Sequence, residues 1–341
     1  MNIVYLIGNG FDKNVGLRTS YQDFYEYYKR QASVNDDIIK IKNLIGENTS
    51  ELWSDLESAL GQVTAEFNDA ERFVDVLKDI SDNLRQYVKE EAERLRILPV
   101  AAEQMRQYLS TPFDCLMPEI KRQAEAHFQG SLNQTWDINI ISFNYTYTLE
   151  WILSDFIGKR IGSHHANNAI VNLKGIHHIH GTCDNSILLG VNDISQIANE
   201  SFRNDEYLLD WFVKPRTQGC LSDGVERTCK RLISEANLIC IFGMSFGETD
   251  NLWWKCIQER LAASPSSRAI IYDFAKDITF TNNRAQDRGL YRRRAKQRLA
   301  MNRYSALQNS IFCDTNTSMF NLGGAVVRDE IPYDVQIAKV G

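Results

Sequence analysis

The chain has 341 residues, 43% of them hydrophobic and 24% charged, a globular composition that excludes collagen-like, low-complexity and largely disordered proteins. A formal charge of −6 argues against a general nucleic-acid coat, so an anionic partner needs a local basic patch. Seven cysteines without a CxxC pair speak against a disulfide framework or a structural zinc knot, and no apolar run is long enough for a membrane span; a cytoplasmic protein is expected.

The first element is NIVYLI, an apolar β-type run that ends in the glycine turn Gly8-Asn9-Gly10 with Phe11 and Asp12. A helix follows at TSYQDFYEYYKR, capped by Thr19 or Ser20, with Ser20 and Asp23 spaced as a capping box. Strand, glycine loop and helix open an α/β nucleotide-binding unit. Residues 36–130 then change character: they are charged and helix-forming, with Phe73, Leu77, Ile80, Leu84, Tyr87, Val88 and Leu95 at helical spacing. They read as an inserted helical subdomain whose apolar stripe is core, or a dimer seam.

β character returns at INIISF, which runs into NYTYTLEWIL and a helix. The alternating stretch AIVNLKGIHHIHG has a turn candidate at Lys174-Gly175, and ILLGVND follows it. Residues 197–236 read as mixed helix. NLICIFGMS is a second fully apolar strand, with a helix from Thr249 or Asp250 in which Trp253-Trp254 is core. RAIIYDF is a third, residues 284–298 form a basic helix with a solvated face, SIFCD is a last edge strand, and the rest is a tail. Apolar strands alternating with helices define an α/β fold, a Rossmann-like parallel sheet with helices on both faces. The expected division is 1–35 with 131–315 as the nucleotide-binding domain, 36–130 as the insertion and 316–341 as the C-terminal tail.

Four motifs share one placement, the point where an apolar strand stops: Gly8-Asn9-Gly10-Phe11-Asp12, Phe143-Asn144-Tyr145-Thr146, His178-Ile179-His180-Gly181 and Gly243-Met244-Ser245-Phe246-Gly247. In an open parallel sheet ligands bind beyond the carboxyl ends of the strands, so the four converge on one crevice. The GNG turn lets backbone N–H groups approach a phosphate, or is a plain tight turn. Asp12 bonds a ribose hydroxyl or caps its turn, since a carboxylate repels phosphate. Asn144 orients a water or holds a ribose hydroxyl, or else forms a turn or cap. His180 suits a general base. His178 and His180 at i and i+2 also suit a metal, but no third ligand or HExxH accompanies them, and none is expected. Gly243 and Ser245 repeat the glycine-loop logic, and Asp250 is a cap or a ligand contact. GMSFG looks like a nucleophile elbow, yet all six histidines precede Ser245, against the α/β-hydrolase order.

IGNGFD with GLRTSYQDF, WSDLE, FNYTYTLE, HIHG and FGMSFGETD, in that order, resemble the AbiH family of bacterial abortive-infection proteins. The arrangement is similar, more distantly, to sirtuin-like NAD-consuming domains, without their zinc-ribbon cysteines. The resemblance implies Asn144 and His180 as catalytic residues, and Gly8, Asn9, Gly10, Asp12, Gly243, Ser245 and Asp250 around NAD, which is substrate. It implies an anti-phage effector that cleaves the nicotinamide–ribose bond, held off until infection and triggered by a partner defence protein, homo-oligomerisation or a phage-linked activator. Alternatives are a non-catalytic nucleotide-binding regulatory module and a metal-dependent nuclease.

Overall fold

The computed structural model describes residues 1–47, 56–164, 169–220, 224–275 and 284–329. The strands in chain order are β1 (Asn2–Ile7), β2 (Leu95–Ile97), β3 (Trp136–Ser142), β4 (Lys159–His164), β5 (Ala169–His178), β6 (Leu238–Phe242), β7 (Arg268–Asp273), β8 (Ile311–Thr315) and β9 (Val326–Arg328). Seven form one sheet in the order β4-β5-β3-β1-β6-β7-β8, parallel throughout except for β4 against β5. From β1 the chain steps outward to β3 and β5, then returns to the other side of β1 for β6, β7 and β8. That is the doubly wound order, with its switch point between β1 and β6 and β4 added as an edge.

Side chains of a strand alternate between faces, and both faces of β1 are covered. Ile3, Tyr5 and Ile7 join a core with the helices Pro99–Ser110, Pro118–Phe128 and Thr148–Leu153. Val4 and Leu6 join another with Val225–Glu235, Asn251–Ala263 and Ala285–Ala300. A continuous apolar run such as NIVYLI is what burial on two faces requires. A third core lies apart: the helices Tyr21–Tyr28, Leu56–Val63 and Ala70–Ala92 pack with residues of 183–213. The helix Ala70–Ala92 contributes Phe73, Leu77, Ile80, Leu84 and Val88, each worth about 1.5–3 kcal/mol when fully buried.

Several expectations are revised. The helices Pro99–Ser110 and Pro118–Phe128, expected in the insertion, cover one face of the sheet, while residues of 183–213 join the helical body. Amphipathic spacing marks an apolar face but not what that face meets. Lys174-Gly175 is no turn; β5 runs through it, and the register against β3 shifts there as a bulge. The glycine loop leads first into a five-residue helix, Gly10–Asn14, before Ser20 caps the longer one in the expected capping box with Asp23. The described part of the tail is built into the fold: Phe320 packs on Tyr5, Phe11 and Phe242, β9 pairs with β2, and Arg328 makes two 2.9 Å bonds to buried Glu91. Residues 330–341 of that tail, and Trp53 to Asp55 of the WSDLE motif, lie outside the described residues. Among those described, no helix is long and apolar enough to cross a membrane.

Candidate active site

At the switch point the two glycine loops meet backbone to backbone. Gly8 N–H donates to the Phe242 carbonyl at 3.0 Å, and Gly10 N–H donates to the Gly243 carbonyl at 2.9 Å. A Cβ on Gly10 would stand 2.4 Å from Gly243 Cα, and one on Gly8 2.7 Å from the Gly243 carbonyl oxygen. Gly243 itself has φ +70°, in the left-handed region that glycine adopts freely. These glycines therefore serve close packing between β1 and β6, and the Gly8 and Gly10 N–H groups, expected to approach a phosphate, are bonded to the end of β6 and the loop after it instead. The Asn9 amide is likewise engaged, its Nδ2 donating to the Thr19 carbonyl at 2.8 Å.

Beyond that seam lies a cavity of about 1160 Å³, and Gly8, Asn9, Gly10, Asp12, Asn144, His180, Gly243, Ser245 and Asp250 all line it. The convergence expected from strand-end placement is present. Asn144, 4% exposed, keeps both polar side-chain atoms without a hydrogen-bond partner. Its backbone, by contrast, is fixed from both ends: N–H donates to Ser142 Oγ at 3.2 Å, and its carbonyl accepts from His178 Nδ1 at 2.8 Å. His178 Nε2 stands 2.6 Å from Glu150 Oε1, so both ring nitrogens are engaged and neither is left for a metal in this arrangement. Burial works against a charge on His178, but Glu150 outweighs it and raises the pKa. His178 thus positions Asn144, a role that its place in the sequence did not suggest.

Asp12 reaches the same wall. Thr146 Oγ1 donates to its Oδ2 at 2.8 Å, while Oδ1 has no hydrogen-bond partner. Burial pushes the Asp12 carboxyl up to about 7, against the pull of Thr146 and of the nearby Asn144 amide.

His180 lines the same cavity as Asn144, its ring 5.4 Å from that of Phe143, edge to face, and 6.3 Å from that of Tyr145. Its Nε2 lies 3.0 Å from Asp250 Oδ1, close enough for an ion pair but not aligned as a hydrogen bond. Asp250 also receives Lys214 Nζ at 3.1 Å, and Lys214 reaches Glu57 Oε2 at 2.7 Å. Asp250 makes no side-chain cap on the helix that it precedes. Burial opposes each of these charges, yet Asp250 and Glu57 together raise Lys214, and Lys214 with His180 holds Asp250 well below the usual carboxylate range. Burial pushes Glu57 up, Lys214 pulls it back and Asp250 adds to the rise. With a neutral imidazole the four groups carry one net negative charge, and a proton on His180 brings them to neutrality.

Lys214 escaped the sequence reading, its only signal a charge after the apolar run YLLDWFV, and Glu57 entered it only as the last residue of WSDLE, with no role assigned. Trp253 and Trp254 are buried as expected, and Trp254 adds a function of its own: it stacks on Phe143, and its Nε1 holds the Gly247 carbonyl of the second loop at 2.9 Å. The basic helix is mostly exposed, but Arg298 lines the cavity, where it meets Asp273 at 3.3 Å and lies over the Phe246 ring. No three His, Cys, Asp or Glu side chains are grouped as a metal site among the described residues.

Among known families, the model described as bacteriophage abortive infection AbiH matches residues 4–272, well over half of the chain. No curated protein matches.

Proposed function

The chain belongs to the AbiH family of bacteriophage abortive infection proteins, and on that premise we propose that it hydrolyses the nicotinamide–ribose bond of NAD or a related nucleotide during infection. The observation that carries this reading is Asn144: a buried carboxamide with donor and acceptor both unpartnered, in the wall of the cavity that also holds His180. Buried polar atoms are nearly always bonded, and exceptions cluster where a ligand arrives.

Nicotinamide leaves as a neutral ring from a cationic one, so its departure needs little acid catalysis. What the site must supply is a held sugar, exclusion of bulk water and one positioned nucleophile. Asn144 presents N–H and C=O groups for a ribose hydroxyl or that water, on a backbone fixed by Ser142 and His178. His180 accepts the water proton, and the proton leaves the chain from Glu57 to His180 uncharged overall. The far wall, with Arg298, Asn316 and Thr317, gives the rest of a dinucleotide room and polar partners. A resting enzyme of this kind must be held off until infection, and its trigger is a partner protein, an oligomerisation step or a phage-linked ligand.

The test is purified full-length chain incubated with NAD, with and without lysate from infected cells, beside Asn144→Ala and His180→Ala. Loss of a general base costs about 10²–10⁴ in rate, so His180→Ala should nearly abolish turnover while still folding. NAD that stays intact in cells undergoing arrest refutes the reading.

A further inference from the structure

Among the buried ionisable groups without work in the reaction proposed above, Asp12 lies in the cavity wall itself. Asp12 is 1% exposed and spends only Oδ2, on the Thr146 hydroxyl. A carboxylate oxygen that is buried and unpartnered is costly, and such an oxygen persists where something arrives to meet it. From the loop after β3, Asn144, Thr146 and Thr148 face it as neutral hydrogen-bonding groups. From the end of β5 the charged group that faces it is His178, already committed to Glu150. No lysine or arginine pairs with Asp12 among the described residues. The cavity wall therefore holds a carboxylate whose one nearby positive group, His178, is bonded to Glu150 instead, beside the amide of Asn144.

Resting on the N-glycosidic reading, we propose that Asp12 is the catalytic anion of the cavity, facing the sugar carbon that turns cationic as nicotinamide departs. The bond between ribose C1′ and the pyridine nitrogen breaks, and its electron pair leaves with nicotinamide. Water oxygen bonds to C1′, its proton passes to His180, and Asp12 changes no bond but supplies charge. A fixed charge set against a developing one stabilises the transition state without reorganisation. The rise of the Asp12 carboxyl to about 7 has the direction expected of an anion held out of water until a cation forms beside it.

The experiment compares full-length wild type with Asp12→Asn and Asp12→Glu, using NAD as substrate at pH 8. Asp12→Asn keeps the shape and an acceptor for Thr146 but removes the charge. The expected result is a kcat lower by about 100-fold or more with KM within about threefold, and partial recovery in Asp12→Glu. A thermal midpoint for Asp12→Asn above that of wild type is expected on the same samples, because a merely structural carboxylate would lower it. An Asp12→Asn enzyme that keeps more than about a tenth of kcat, loses KM in step with kcat, or melts below wild type overturns the proposal. Wild type that leaves NAD intact in cells undergoing arrest overturns the reaction itself, and the thermal midpoints separate the two failures.

Discussion

Asp12→Asn should make the protein more stable in a pH-dependent way. The carboxyl moves from 3.8 in an unfolded chain to about 7 in the folded one, roughly three units, because it is buried with Oδ1 unpartnered. At about 1.36 kcal/mol per unit, the ionised carboxylate costs the fold about 4 kcal/mol at pH 8, and about half of that if water in the cavity screens it. The sign follows from linkage: a raised folded pKa gives stability that is full below pH 3.8 and is lost as pH rises through about 7. An amide at this position keeps an acceptor for Thr146 and offers a donor to a wall that holds the unpartnered Asn144 Oδ1. Urea unfolding of both proteins at pH 5 and pH 8 measures the effect. The stability difference in favour of Asp12→Asn should be about 2–4 kcal/mol at pH 8 and clearly smaller at pH 5. A difference that does not grow with pH means that the carboxylate is not held at a cost, and the account of this wall is wrong.

Three further outcomes follow from the same geometry. Lys214→Met removes the cation between Glu57 and Asp250 and should cost about 3–5 kcal/mol in denaturant unfolding, with a substantial part regained in the Glu57→Gln/Lys214→Met double variant. Gly10→Ala drives a methyl into Gly243 Cα and should destabilise by about 1–3 kcal/mol or prevent folding, read from thermal midpoint and soluble yield. Glu150→Gln loosens His178 from its anchor, so kcat should fall about tenfold while the unfolding midpoint moves little; an unchanged kcat would deny His178 its positioning role.

Much of the fold was legible because parallel strands buried on both faces leave unmistakable runs. NIVYLI, INIISF, NLICIF and RAIIYDF all supply strands of the sheet, and Gly8, Asn144 and Gly243, which follow the first three, mark the carboxyl ends where a crevice forms. That is why Asn144 and His180 were legible as lining one crevice despite the separation of their motifs. Partners set by tertiary structure were not. The stripe of Ala70–Ala92 and the apolar positions of Pro99–Ser110 look alike in sequence, yet one packs on residues of 183–213 and the other on the sheet. Glu57 and Lys214 lie 157 residues apart and meet only because two layers close on each other. Gly175 reads as a turn because a mid-strand glycine and a turn glycine have the same spelling, and here it absorbs a bulge. The GNG loop was legible as a tight turn, but whether its N–H groups face a ligand or a neighbouring strand depends on how closely β6 approaches.

The most direct measurement is NAD content in phage-infected cells that carry the wild-type chain, Asn144→Ala or His180→Ala at matched protein levels. A loss of NAD that precedes growth arrest with wild type, and is absent with both variants along with protection, is the predicted result. Arrest and protection with NAD undiminished, or protection unchanged in both variants, contradicts the account.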